Sequence, residues 1–163
     1  MVLKYAKAII DQESAALKEL SSSLSSTFTK SVEIISSVKG KVIISGVGKS
    51  GFVGKKIAST LNSVGVPSSF IHPTEASHGD LGLITKKDIL IILSKSGKSK
   101  ELYDLSNFAT FKKIPTILIS SSRLSKLVKQ STLVINIPNV EEAGENKLAP
   151  TTSTTMMLSL GDA

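Results

Sequence analysis

Asp88-Ile-Leu-Ile-Ile-Leu-Ser-Lys-Ser-Gly-Lys-Ser-Lys-Glu101 passes from hydrophobic structure to anion-binding chemistry within a few residues. Ile89 to Leu93 is an unbroken apolar run rich in β-branched residues. It shows no alternation of apolar and polar positions, which suits a strand covered on both faces in a parallel sheet. At Ser94 the run stops. Ser94, Ser96 and Ser99 bring hydroxyls, Gly97 lets the backbone approach a ligand, and a helical pattern (Leu102, Leu105, Ala109) begins just after. A strand feeding a Ser/Gly loop that opens a helix leaves unpaired backbone N–H groups aimed at one spot, and that spot favours a phosphate. Lys95, Lys98 and Lys100 add positive charge, and Glu101 places a carboxylate in the first helical turn. The plainer alternative is a serine N-cap on an ordinary helix.

Outward from this stretch the chain alternates strands and helices. Strands are expected at Val42 to Ser45, Ser68 to Ile71, Ile89 to Leu93, Thr116 to Ser120 and Leu133 to Ile137. Helices are expected at Ser50 to Val64, Glu101 to Lys112 and Leu124 to Gln130. Such alternation calls for an α/β fold with three αβα layers around a five-stranded parallel sheet. A flavodoxin-like order, 2-1-3-4-5, puts the loops after the first and third strands side by side at the switch point, where ligands bind. Ahead of the sheet, Tyr5, Ile9, Ala16, Leu20, Leu24 and Phe28 mark one apolar stripe of a helix running through the serine-rich interval Ser21 to Ser26. Val32 to Val38 reads as a second short helix ended by Gly40, and the two form an N-terminal helical extension.

A chain of 163 residues, 40% hydrophobic, has enough material for one domain and too little for two typical ones. The absence of Cys excludes a disulfide framework and a thiolate metal site or nucleophile. No segment reaches membrane-spanning length and the first residues lack a signal peptide's apolar core, so a cytoplasmic location with no membrane partner is expected. A formal charge of +7 permits nucleic-acid binding. The lysines are scattered, however, and aromatics are only 4%, which leaves no stacking platform; an anionic small molecule is the better partner.

The first strand runs into Gly46-Val47-Gly48-Lys49-Ser50-Gly51, which matches the dinucleotide fingerprint in letter. The acidic residue that fingerprint needs at the end of the second strand is replaced by Ile71-His72-Pro73, and the nearest carboxylate is Glu75. Neither Gly48-Lys49-Ser50 nor Gly97-Lys98-Ser99 is a triphosphate-binding loop, because Ile43 and Ile92 stand where its first glycine belongs. Both triplets are small-anion loops, and one sugar phosphate can bridge them. His72 and His78 share the polar loop His72 to Asp80 with Glu75, and two histidines without a clear third ligand suit sugar contact or proton transfer better than metal binding. Glu141 and Glu142 follow the last strand, so Lys49, Glu75, His78, Glu101 and Glu142 all fall beyond strand carboxyl ends.

These blocks resemble the sugar isomerase (SIS) domain of arabinose-5-phosphate isomerases. The resemblance rests on Gly46 to Gly51, on His72-Pro73-x-Glu75-Ala76-x-His78-Gly79-Asp80-Leu81-Gly82, on Ser94-x-Ser96-Gly97, and on Leu148-Ala149-Pro150-Thr151-Thr152-Ser153-Thr154-Thr155 with Gly161-Asp162-Ala163. It implies interconversion of ribulose 5-phosphate and arabinose 5-phosphate through an enediol, for the Kdo sugar of lipopolysaccharide, with no cofactor. It further implies that Lys49, Glu101, Glu142 and His78 are catalytic, with His78 also linked to inhibitory metal binding. Gly48, Ser50, His72, Ser94, Ser96, Gly97 and Ser99 would contact substrate. A glutamate acting as the base requires burial to raise its pKa. A homotetramer built as a dimer of dimers is implied as well, with Leu20, Leu24 and Phe28 expected at an interface.

Three departures accompany the likeness. Lys98 stands where the family is usually acidic. The paired CBS domains of longer members are absent from the chain, and so is the family's downstream His-Pro-Gly-Gly motif. Residues 1–163 thus read as a single SIS domain whose C-terminal end is truncated inside a helix beginning near Ser153. The alternative is a phosphosugar-binding or sensing SIS module without catalysis.

Overall fold

A computed structural model describes residues 1–163. Five parallel strands, β1 (Val42–Gly46), β2 (Ser68–Phe70), β3 (Ile89–Leu93), β4 (Thr116–Ser120) and β5 (Leu133–Asn136), form one sheet in the order β2-β1-β3-β4-β5. The flavodoxin-like order expected from the sequence is therefore correct. Every residue of β1, β3 and β4 is buried. Successive side chains of a strand point to opposite faces, so these strands divide one apolar run between two cores.

On one face, Val42, Ile44, Ile91 and Ile117 pack with α1 (Val2–Ser23), α2 (Ser26–Ser36), α3 (Lys49–Ser63) and α7 (Thr152–Asp162). On the other, Ile43, Leu90, Ile92 and Leu118 meet α4 (Pro73–Ser77), α5 (Tyr103–Lys112) and α6 (Lys126–Gln130). Two 3-10 turns, Asp80–Leu83 and Lys100–Leu102, complete the second layer. No helix is long and apolar enough to cross a membrane.

The N-terminal extension differs from expectation in three respects. The expected continuous helix breaks at Leu24, whose backbone is extended, and Ser25 starts α2 by accepting a hydrogen bond from Thr27 N at 3.3 Å. A serine in mid-run was thus a cap competing with helix continuation. Gly40 does not end a helix, since Ser37 caps α2. Instead Gly40 N donates to Lys87 O at 2.9 Å, and a Cβ there would collide with the Asp88 carboxylate and the Lys87 carbonyl. That carboxylate accepts from Lys41 N at 2.8 Å and Thr85 N at 2.7 Å, tying together the chain segments that enter β1 and β3.

The third difference concerns the apolar stripe. Leu20 is buried within its own subunit, in the core it shares with Ala16, Met156 and Met157, and Phe28 packs half-buried against that core. Leu20, expected at an interface, instead covers the domain's own sheet layer, while Phe28 keeps part of its surface open and Leu24 is exposed.

Candidate active site

The register fixes where the loops lie. Gly46 pairs with Leu93 at the carboxyl ends of β1 and β3, so Val47–Lys49 and Ser94–Ser99 emerge as neighbours. Ser45 Oγ donates to Ile71 O at 2.8 Å, which holds the start of the histidine loop against β1. Gly48 is the N-cap of α3 at φ 58, and Lys49, the first residue of that helix, is exposed and has no ion-pair partner. Ser50 turns its hydroxyl inward, toward Met157 Sδ at 3.8 Å.

The loop after β3 is tightly turned. Gly97 N donates to Ser94 O at 3.1 Å, the buried Ser94 hydroxyl lies 3.2 Å from that of Ser99, and Ser96 Oγ accepts from Lys98 N at 3.2 Å. Gly97 has φ 64, a left-handed conformation that costs a residue with a Cβ. Glu101 follows in the 3-10 turn Lys100–Leu102, exposed, with no side-chain hydrogen bond.

The segment His72 to Asp80, expected as a polar loop, contains α4. His72 Nδ1 caps it by accepting from Thr74 N at 3.3 Å, Pro73 occupies the first turn, and His78 closes the helix. Proline at a helix start and an acidic residue in the first turn, here Glu75, were the available sequence signals. Ser77 Oγ donates to Asp104 Oδ2 at 3.1 Å, fastening α4 to α5, and α4 also packs on the turn that carries Glu101. His72, His78 and Glu101 are all exposed on this layer. No three His, Asp or Glu side chains gather into a metal-binding group, at His78 or elsewhere.

Glu142 lies at the head of α7 and touches the serine loop through Lys95. Its side chain is only 9% exposed. Oε1 accepts from Lys95 Nζ at 2.7 Å and from the Ser153 hydroxyl at 2.5 Å, while Oε2 accepts from Thr151 N at 2.9 Å and Ser153 N at 3.1 Å. Burial pushes this carboxyl up, but the Lys95 and Ser153 side chains, the Ser153 N–H and the Lys95 charge together outweigh it and hold Glu142 below the ordinary glutamate value. The raised pKa expected of a buried base is therefore not found at Glu142. Lys95, read from the sequence only as loop charge, is the partner that reasoning missed, because nothing local marks a contact 47 residues away.

The SIS domain family matches residues 34–163. Arabinose 5-phosphate isomerase KpsF of Escherichia coli O6:H1 is 45% identical over 157 residues, 93% of this chain and 47% of that protein. Arabinose 5-phosphate isomerase KdsD of Francisella tularensis is 46% identical over 154 residues, again 93% of this chain and 47% of the relative. The chain thus spans about half the length of the curated relatives it matches. An E. coli CFT073 protein solved in complex with arabinose 5-phosphate superposes with a TM-score of 0.95 at 36% identity, over 99% of this chain and 86% of the other. Sequence match and sheet order agree: the chain belongs to the SIS domain family.

Proposed function

We propose that residues 1–163 act as one SIS unit that isomerises a sugar phosphate, interconverting arabinose 5-phosphate and ribulose 5-phosphate. The observation carrying this reading is the adjacency of the Lys49 and Ser94–Ser99 loops, fixed by the pairing of Gly46 with Leu93. The likeness to the structure bound to arabinose 5-phosphate and to relatives named as isomerases of that sugar supports this choice of substrate.

The phosphate binds the serine loop, whose hydroxyls and backbone N–H groups favour an anion. Gly48 and the head of α3 lie against the sugar, with Ser50 contributing through its backbone, and His72 contacts sugar hydroxyls. For the aldose, a base removes the C2 proton, the C1–C2 double bond forms, and the carbonyl oxygen at C1 takes a proton. The enediol then loses the proton of its C2 hydroxyl and gains one at C1, giving the ketose with no net gain or loss. Lys49 stabilises the developing oxyanion and His78 assists ring opening.

Between the two glutamates, Glu101 is the better base. Its carboxylate is free of competing bonds and gains the burial a base requires when substrate covers it, whereas the roughly four lone-pair sites of a carboxylate are all occupied at Glu142. Glu142 supports catalysis as a fixed charge. Arabinose 5-phosphate made in this way would feed Kdo and lipopolysaccharide synthesis in the cytoplasm, from a tetrameric enzyme.

A non-catalytic sensing module is the second reading, favoured by the saturation of Glu142. Arabinose 5-phosphate in deuterium oxide separates the two. Isomerisation brings ketose and deuterium at C1 or C2; saturable binding with neither turnover nor exchange would leave the sensor.

A further inference from the structure

Lys95 occupies an unusual place in the serine loop. Its carbonyl accepts from Ser121 N at 3.0 Å and from Ser120 Oγ at 3.0 Å, so the end of β4 holds its backbone. The side chain reaches over that strand end to the segment after β5, where Nζ donates to Val140 O at 3.4 Å and to Glu142 Oε1 at 2.7 Å. Glu142 in turn takes the N–H groups of Thr151 and Ser153, which open α7.

From its head, α7 runs along α3. Met157 Sδ receives the Ser50 hydroxyl bond, and Gly161 lies so close to Ile57 that a Cβ there would overlap its side chain. Lys49 stands at the start of α3. One continuous set of contacts therefore leads from the serine loop through Lys95, Glu142, α7 and α3 to Lys49. The loop leads to α5 on one face of the sheet and Lys49 heads a helix on the other, so this route joins the two layers outside the sheet itself.

We infer that Lys95 is a positioning residue, which acts through Glu142 and α7 to fix the serine loop relative to Lys49. The inference rests on the isomerase reading for its catalytic consequence and on geometry alone for the coupling. A pair 9% exposed on its carboxylate side and 32% on its lysine side is shielded from solvent. An ion pair of this kind resists salt better than an exposed one. Small displacements between a phosphate anchor and an electrophile are costly in rate, since a misplacement of about 1 Å can cost about a hundredfold.

Lys95→Met keeps the length of the chain and removes the charge; Lys95→Arg keeps the charge. With arabinose 5-phosphate, the Met variant should lose about ten- to hundredfold in kcat with a smaller change in KM, and Arg should recover most of the loss. Carbon-13 titration of the Glu142 carboxyl gives a reading independent of turnover: its midpoint rises in Lys95→Met and returns in Lys95→Arg. In the wild type, the Lys95 Nζ nitrogen resonance should shift at the Glu142 midpoint, a measurement that needs no variant to fold.

A Nζ resonance blind to Glu142 would overturn the coupling. So would a Glu142 midpoint unmoved by Lys95→Met. Equal kcat in wild type and Lys95→Met would overturn the positioning role. A wild type without turnover, with both titrations as expected, would instead remove the isomerase reading and leave the coupling standing.

Discussion

Gly97 and Ser125 are in such close contact that a Cβ on Gly97 would overlap the Ser125 hydroxyl, the same hydroxyl that caps α6 by accepting from Val128 N at 3.2 Å. Gly97 also sits at φ 64. Gly97→Ala should therefore cost about 1–3 kcal/mol from backbone strain alone, seen as a lower urea midpoint, and should weaken binding of inorganic phosphate. Unchanged stability and phosphate affinity would show that the loop reshapes freely.

Glu101→Gln tests the base without touching the fold. Glu101 is exposed and bonded to nothing through its side chain, so stability should stay within about 0.5 kcal/mol of wild type. Turnover of arabinose 5-phosphate and deuterium incorporation should fall together by about 10²- to 10⁴-fold. Full exchange in the variant would move the base elsewhere.

Glu142 predicts a pH effect with a definite sign. Its folded pKa lies below the ordinary glutamate value, so its stabilising contribution is present above that ordinary value and is lost as pH falls through the lower, folded one. Thermal midpoints of the wild type should drop through this acid window, and Glu142→Gln should flatten that part of the curve. At neutral pH the same variant should be less stable by about 1.5–3 kcal/mol, the scale of hydrogen bonds to a charged group. Parallel curves for the two proteins would refute the charge clamp.

Leu20→Ala should behave as a core truncation. Leu20 is 5% exposed and shares its core with Met156 and Met157, so a loss of about 2–5 kcal/mol is expected, measured by chemical denaturation. Size-exclusion chromatography with light scattering should give the same mass for variant and wild type. Dissociation without loss of subunit stability would put Leu20 back at an interface.

The sheet was legible because runs such as Ile89–Leu93 and Thr116–Ser120 are short, rich in β-branched residues and bounded by turn residues, which favours strands buried on both faces, and the alternating helices call for parallel pairing. The loops after β1 and β3 could be read for the same reason: once the order is known, Gly46 and Leu93 must end side by side. Other features depended on partners distant in sequence. Periodicity identified the apolar stripe through Leu20, but only the packed α7 reveals what covers it. Ser25 could be read as helix or cap, since serine serves both. Lys95 carried no mark distinguishing it from Lys98 or Lys100 until Glu142 was placed within 2.7 Å.

The pairing of α1 with α7 bears on how the chain acquires its shape during synthesis. Ala16 and Leu20 leave the ribosome early, yet the fully buried Met156 and Met157 that complete their core arrive only after all five strands. Until then the apolar side of α1 stays wet and sticky, the condition under which nascent chains aggregate or recruit chaperones. Nascent chains arrested before Thr152 should be digested by protease throughout α1, and those that have released α7 from the exit tunnel should be protected there.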